Sequence, residues 1–491
     1  MRAALVVSFC LAVLGWQAWK PEIPRVWDDE AVHELTLPLV GLDRPAEHVS
    51  ADYYYRIPVT RIPKTYPVYA PRREPADYLE WLKQQEPEDA IDFRTLKSKE
   101  DWIQAGQLVF DAPFRATLSI APTAEQWREF NGSRLYPRPA KDGTYPWVRY
   151  YVVKKGDVRG FFTECGSCHS RVLEDGTLVP GAQGNMNENV FHTSTLRGGP
   201  FSVSLAQWLK ERKRSYSAPW LTPNPADDYE GLSLAQAVQV EQSIPPGTMF
   251  RAGTSHFYPP KMPSLIGVAE RKYLDATGLV RHRSIGDLMR YATLIDVAEN
   301  LTNFDGFRPA GELPPPESLG RYSDEALYAL ALYVYSLQPP PNPNKANSQT
   351  GYGEQVFKRE SCGVCHSPPH YTNNMLMPAD GFNVPEQHQR KFAILPLSVG
   401  TDTRLTLRSR KGTGYYRVPS LKGVWYRGSF EHNGSVLTLE DWFDPKRLRA
   451  DYVPTGFKAY GVKTRAVKGH EFGLKLSAED KKSLIAFLNT L

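Results

Sequence analysis

Two segments of this 491-residue chain share one pattern: Cys165-Gly166-Ser167-Cys168-His169 and Cys362-Gly363-Val364-Cys365-His366 are both C-x-x-C-H. Four of the chain's five cysteines lie in them. The spacing sets two thiols on one helical turn, where they can bond the vinyl groups of a haem while the adjacent histidine takes the iron. A single C-x-x-C could be a redox dithiol, and two pairs could supply four thiolates to zinc. A histidine directly after both pairs is something zinc does not require and a covalent haem does. The chain is therefore expected to fold around two haem c groups. Cys165, Cys168, Cys362 and Cys365 attach them, and His169 and His366 are the proximal iron ligands.

The surroundings of the motifs are duplicated. Pro263-Ser264-Leu265-Ile266-Gly267-Val268 returns as Pro419-Ser420-Leu421-Lys422-Gly423-Val424, followed in register by Arg271 with Arg427, Asp275 with Glu431 and Gly278 with Gly434. Each copy closes on a helix signal. Ser323-Asp324-Glu325 precedes Leu327, Leu330, Ala331, Val334 and Leu337, and Ser477-Ala478-Glu479-Asp480 precedes Leu484, Ile485, Leu488 and Leu491. The motifs lie 197 residues apart but the Pro-Ser-Leu turns only 156, so the first copy holds 41 additional residues, somewhere in 180–250. Two related haem domains are expected, joined at Pro339-Pro340-Pro341-Asn342-Pro343, a run that cannot continue a helix.

The start of the chain, Met1-Arg2 and an apolar run from Ala3 to Gly15 that extends to Trp19, reads as a secretory signal, with an uncleaved membrane anchor as the alternative. Cys10 is then a small apolar residue of that leader. The expected division is a leader at 1–19, an irregular, Pro-rich N-terminal extension at 20–140, a haem domain at 141–340 and a second at 341–491. The fold class is mainly α, with two tandem c-type cytochrome domains. The formal charge of +5 is too small an excess to argue for nucleic acid, and the leader directs the chain to the periplasm, free or anchored to the inner membrane.

With Phe430-Glu431-His432-Asn433-Gly434-Ser435-Val436 following the second Pro-Ser-Leu turn, residues 150–491 resemble the bacterial di-haem cytochrome c peroxidase and MauG superfamily. Gly469-His470-Glu471-Phe472-Gly473 also resembles its rubber-oxygenase branch. The resemblance implies that the His169 haem reacts with peroxide and that the His366 haem passes electrons. It implies a carboxylate at the end of a helix over 284–298, which places Glu299 first and Asp296 second as proton shuttle; Glu299 shares a helical face with Leu288, Ala292 and Ile295. His192, His256 and His282 are candidates to cap the first iron.

No methionine follows Met377 to serve the second iron, as family peroxidases require, so Tyr460 is expected there, as in MauG-like proteins, with His470 as alternative. His432 matches a structural histidine of the family. Leu274 stands where relatives carry a bridging tryptophan, and Arg427 and Ser429 depart from the family's calcium-binding pattern, so calcium is a secondary expectation.

The expected function is reduction of hydrogen peroxide at the His169 haem. Electrons come from a small periplasmic donor, a cytochrome c or a cupredoxin, through the His366 haem. The alternatives are MauG-like oxidation of a protein or organic substrate by paired high-valent haems, rubber-oxygenase-like dioxygenation, and passive electron transfer.

Overall fold

The computed structural model describes residues 19–491 except 116, 117, 119, 120, 131–134, 199–201 and 250, and does not describe the side chains of 296–300. The expected leader at 1–19 lies outside the described residues, apart from Trp19. The protein is mainly helical, 34% helix and 12% strand. Among the described residues no helix is long and apolar enough to cross a membrane.

Both copies of the repeat are built on one pair of helices. In the first, Lys99–Phe110 begins at a capping box in which the Ser98 hydroxyl accepts from the Asp101 N–H and the Asp101 carboxylate accepts from the Ser98 N–H. Trp102, Ala105, Gly106, Val109 and Phe110 form a single buried stripe at helical spacing. That stripe lies against the closing helix Asp324–Ser336, whose residues 326–334 are all buried. In the second copy Ser348–Arg359 packs in the same way against Ala478–Leu488. Backbones touch at both crossings: a Cβ at Gly106 would collide with the Ala329 carbonyl, and one at Gly353 with the Ser483 carbonyl. Both closing helices stand where the sequence places them, capped by Ser323 and Ser477.

The opening helix of the first copy falls inside the segment read from sequence as an irregular extension. Packing does not break at residue 140. Val26, Trp27, Tyr54 and Trp102 share one core with the closing helix, and the strand Thr65–Tyr69 pairs with Thr144–Lys154, which pairs in turn with Asp157–Phe162. The reason is an insertion. Gly106 and Gly353 are 247 residues apart but the haem motifs only 197, so 50 more residues separate the opening helix from its motif in the first copy, and the local pattern is hidden. The inserted segment carries two strands of the three-stranded antiparallel sheet, the third being Thr65–Tyr69, over a second core of Trp127, Tyr136, Trp147 and Phe162. That core reaches the first motif, where the Trp147 indole donates to the Ser170 carbonyl at 2.7 Å.

Candidate cofactor sites

Each motif is folded as a single turn. The His169 N–H donates to the Cys165 carbonyl at 2.9 Å, and the His366 N–H to the Cys362 carbonyl at 2.9 Å, which brings both thiols of each pair onto one side. All four are free cysteines. The first motif is fixed from behind by the Cys165 N–H on the Phe110 carbonyl at 3.3 Å, the end of the opening helix. Among the described residues no three His, Cys, Asp or Glu gather as a metal-binding group, so the two pairs do not combine into a four-thiolate zinc site.

The histidines of the two motifs are held by main-chain carbonyls, for His169 that of the duplicated turn. His169 Nδ1 lies 2.9 Å from the Pro263 carbonyl oxygen. His366 Nδ1 lies 3.3 Å from the Tyr371 carbonyl, and the carbonyl of Pro419, the repeat partner of Pro263, acts on the same ring to favour its protonated form. A carbonyl only accepts, so in both rings Nδ1 carries the proton and Nε2 presents its lone pair. Burial lowers the pKa of His169 to about 4 and lowers that of His366, so both imidazoles are neutral at neutral pH. A thiol pair on one turn, with a neutral imidazole aimed through Nε2, is the donor set a covalent haem needs, and both sites fit it.

The turns that orient them match atom for atom. Arg271 and Arg427 each donate through Nη2 to the carbonyl of the repeat serine, Ser264 and Ser420, at 2.7 Å in both copies. Asp275 and Glu431 adopt left-handed φ of 72° and 70°, and Gly278 and Gly434 adopt 65° and 72°. The acidic turn read from sequence is therefore a conformational repeat, with a strained non-glycine residue at the same place in each copy.

Of the residues considered for the first iron, His256 and His282 commit both ring nitrogens. His256 is bonded to the Tyr229 hydroxyl at 2.9 Å and to Glu241 at 3.2 Å. His282 is bonded to the Arg271 carbonyl at 2.8 Å and the Tyr335 hydroxyl at 2.7 Å. The expected helix is present as Ile285–Leu301, but the side chains of Asp296 and Glu299 lie outside the described residues.

The structure places a different carboxylate beside the first motif. Glu188, at the start of helix Glu188–Leu196, has its Oε1 4.0 Å from Cys168 Sγ, with His192 one turn further on the same helical face. Burial, and secondarily the charge of Glu241, push the Glu188 carboxyl up to about 7. Burial works against the charge of Glu241 itself, but His256, His192 and Arg212 overcome it and hold that group below the usual carboxylate range. Glu188, His192, Arg212 and Glu241 lie in the 180–250 segment that holds the first copy's additional residues, and the i, i+4 pair Glu188 and His192 is the signal of this site in the sequence.

At the second motif, His470 packs edge-on against Trp442 at 5.2 Å, and its buried Nδ1 has no hydrogen-bond partner. Burial, then the charges of His366 and Arg447, lower its pKa to about 3, which places it within electrostatic reach of His366. Tyr460 has its contacts elsewhere, against Phe257 at 6.3 Å in the cluster around Trp208 and Tyr216. His432 pairs with Glu431 and lies over the Tyr416 ring at 4.8 Å, as a structural histidine would. Tyr273 sits in a small apolar core with Leu37, Leu376 and Tyr415. Where the repeated turns cross, the cations Lys261, Arg271, Arg417 and Arg427 act on one another, a setting that does not suit calcium.

No protein-family model matches the chain, and no curated protein does. Among solved structures, similarity is found to the xenon-pressurised hydrazine synthase of Kuenenia stuttgartiensis, 15% identical over 60% of this chain and 88% of that one, with a TM-score of 0.28. A MauG-like protein associated with microbial copper homeostasis is 16% identical over 59% and 89%, with a TM-score of 0.30. At these TM-scores no residue role is carried over from either.

Proposed function

We propose that this chain is an exported di-haem c-type cytochrome that reduces hydrogen peroxide at the His169 site and takes electrons in at the His366 site. The observation that carries the reading is the repeated orientation of His169 and His366, each behind a C-x-x-C turn with Nδ1 spent on main-chain carbonyls and Nε2 presented outward. When bound, the haems supply iron that takes up peroxide at one site and transfers electrons at the other.

The protein's own residues divide the two tasks. Glu188 stands beside Cys168 with a carboxyl able to hold or release a proton near neutral pH, which suits it to take a proton from one peroxide oxygen and return it to the other. It replaces Glu299 and Asp296 as first candidate. His470 rather than Tyr460 would help hold the second haem, because its buried Nδ1 has no partner and it lies within electrostatic reach of His366, while the tyrosine packs on Phe257. A second imidazole there would suit that site to electron entry from a small periplasmic donor protein.

Electron paramagnetic resonance of the purified protein, before and after peroxide, tests the reading. One low-spin site and one site that changes with peroxide are expected. Two unreactive low-spin sites would overturn the catalytic assignment.

A further inference from the structure

Four cations recur at the 156-residue interval of the turns. Lys261 and Arg417 lie two residues before Pro263 and Pro419, and Arg271 and Arg427 lie eight residues after them. Among the described residues none of the four makes an ion pair. The acids near them are already engaged: Asp275 binds Arg251 at 2.7 Å, Glu270 binds His370, and Glu431 binds His432. What the three arginines hold instead is main chain, while the Lys261 ammonium lies 6.0 Å over the Phe430 ring. Arg271 donates to Ser264 and Ile266, Arg427 to Ser420, and Arg417 to the Asp275 carbonyl at 3.4 Å, while buried Arg427 Nε has no partner. All four are deep enough for burial to lower their pKa values, and the charge of the others in the set adds to this for Lys261, Arg271 and Arg417. All four nonetheless keep some accessible surface, so their side chains are not sealed in the core.

Their backbones cross between the copies. The Lys261 N–H donates to the His432 carbonyl at 2.6 Å, and the Arg417 N–H to the Ala276 carbonyl at 3.0 Å. These are the same bond seen from the two copies, because Ala276 and His432 are also 156 residues apart. Each repeat thus sets one cation over the other repeat's turn. Arg271 also acts electrostatically on His169, and Arg427 on His366, so the set lies between the two attachment motifs. Buried positive charge gathered where the nearby carboxylates are engaged by other residues favours an anion there. Each haem carries two propionate carboxylates, four in all.

We propose that Lys261, Arg271, Arg417 and Arg427 form one anion site, between the motifs, that receives the propionates of both haems and couples the two cofactors through shared protein charge. The inference rests on the di-haem reading above. In place of a bridging metal ion the protein uses two crossed pairs of side chains, and Arg427 is one of them.

The experiment is a spectroelectrochemical titration of the full di-haem protein carrying Arg417→Gln or Arg271→Gln, with haems counted by mass spectrometry in every sample. Loss of a positive charge favours the ferric state, so each substitution lowers the midpoint potential of both haems, and Arg417→Lys restores both towards the unsubstituted values. Where a variant fails to fold, resonance Raman spectra of the unsubstituted protein serve: strongly hydrogen-bonded propionate bending bands are expected, and bands at water-solvated positions overturn the site. A shift confined to one haem overturns the sharing, and unmoved potentials with two haems attached overturn the site altogether. Fewer than two haems on the unsubstituted chain overturns the di-haem reading instead.

Discussion

His169 Nδ1 stands 2.9 Å from the carbonyl oxygen of Pro263, ninety-four residues further along the chain. That one bond decides which ring nitrogen is protonated, which nitrogen is left for a metal, and how the duplicated Pro-Ser-Leu turn is joined to the motif. In the second copy the Tyr371 carbonyl, 3.3 Å from His366 Nδ1, does this work, with the Pro419 carbonyl acting on the same ring.

Because each motif is held by its own turn, the two attachments are independent. Cys168→Ala should abolish peroxide turnover while leaving the haem at Cys362 and Cys365 in place. Intact-mass measurement checks this, and simultaneous loss of both haems would show that the copies are not autonomous.

His470 and Tyr460 make opposite predictions for the second site. His470→Ala should open the low-spin haem and give a high-spin signal in electron paramagnetic resonance, whereas Tyr460→Phe should leave the spectrum unchanged. The reverse outcome returns the ligand to Tyr460.

Glu188 sets the expected pH profile. Its carboxyl is pushed up to about 7 by burial and by Glu241, so it keeps its proton below that pH and is ionised above it. A base must be ionised to accept the first proton of peroxide, so the rate of peroxide consumption should rise as pH climbs through about 7. Glu188→Gln should remove that rise and slow the reaction by about 10²-fold or more, the usual general acid–base contribution. Unchanged kinetics in this variant, with a loss in Glu299→Gln, would move the shuttle to the end of helix Ile285–Leu301.

Gly106 and Gly353 test the helix crossings. An alanine methyl at either would meet a main-chain carbonyl of the closing helix, which cannot swing aside as a side chain can. Each substitution should destabilise the protein by about 1–3 kcal/mol, the typical cost of overpacking, read as a lowered denaturation midpoint. Equal midpoints for Gly106→Ala and the unsubstituted protein would show that the helices can separate at no cost.

What the sequence by itself determined is what depends on residues close together along the chain. Two C-x-x-C-H motifs, the Pro-Ser-Leu turns and the capped closing helices all carry their signal within about ten residues, because a helical turn, a cap and a tight turn are local hydrogen-bonding problems. Tertiary structure decided the rest. The opening helix Lys99–Phe110 could not be assigned to the first copy, because 50 additional residues separate it from its motif. The choice between His470 and Tyr460, and the arrival of Glu188 beside Cys168, depend on where loops of the inserted and C-terminal segments come to rest against distant elements. The four crossed cations show the same division. Their spacing is present in the sequence, but that they stand together, with the nearby carboxylates engaged elsewhere, follows only from two main-chain bonds that hook each repeat onto the other.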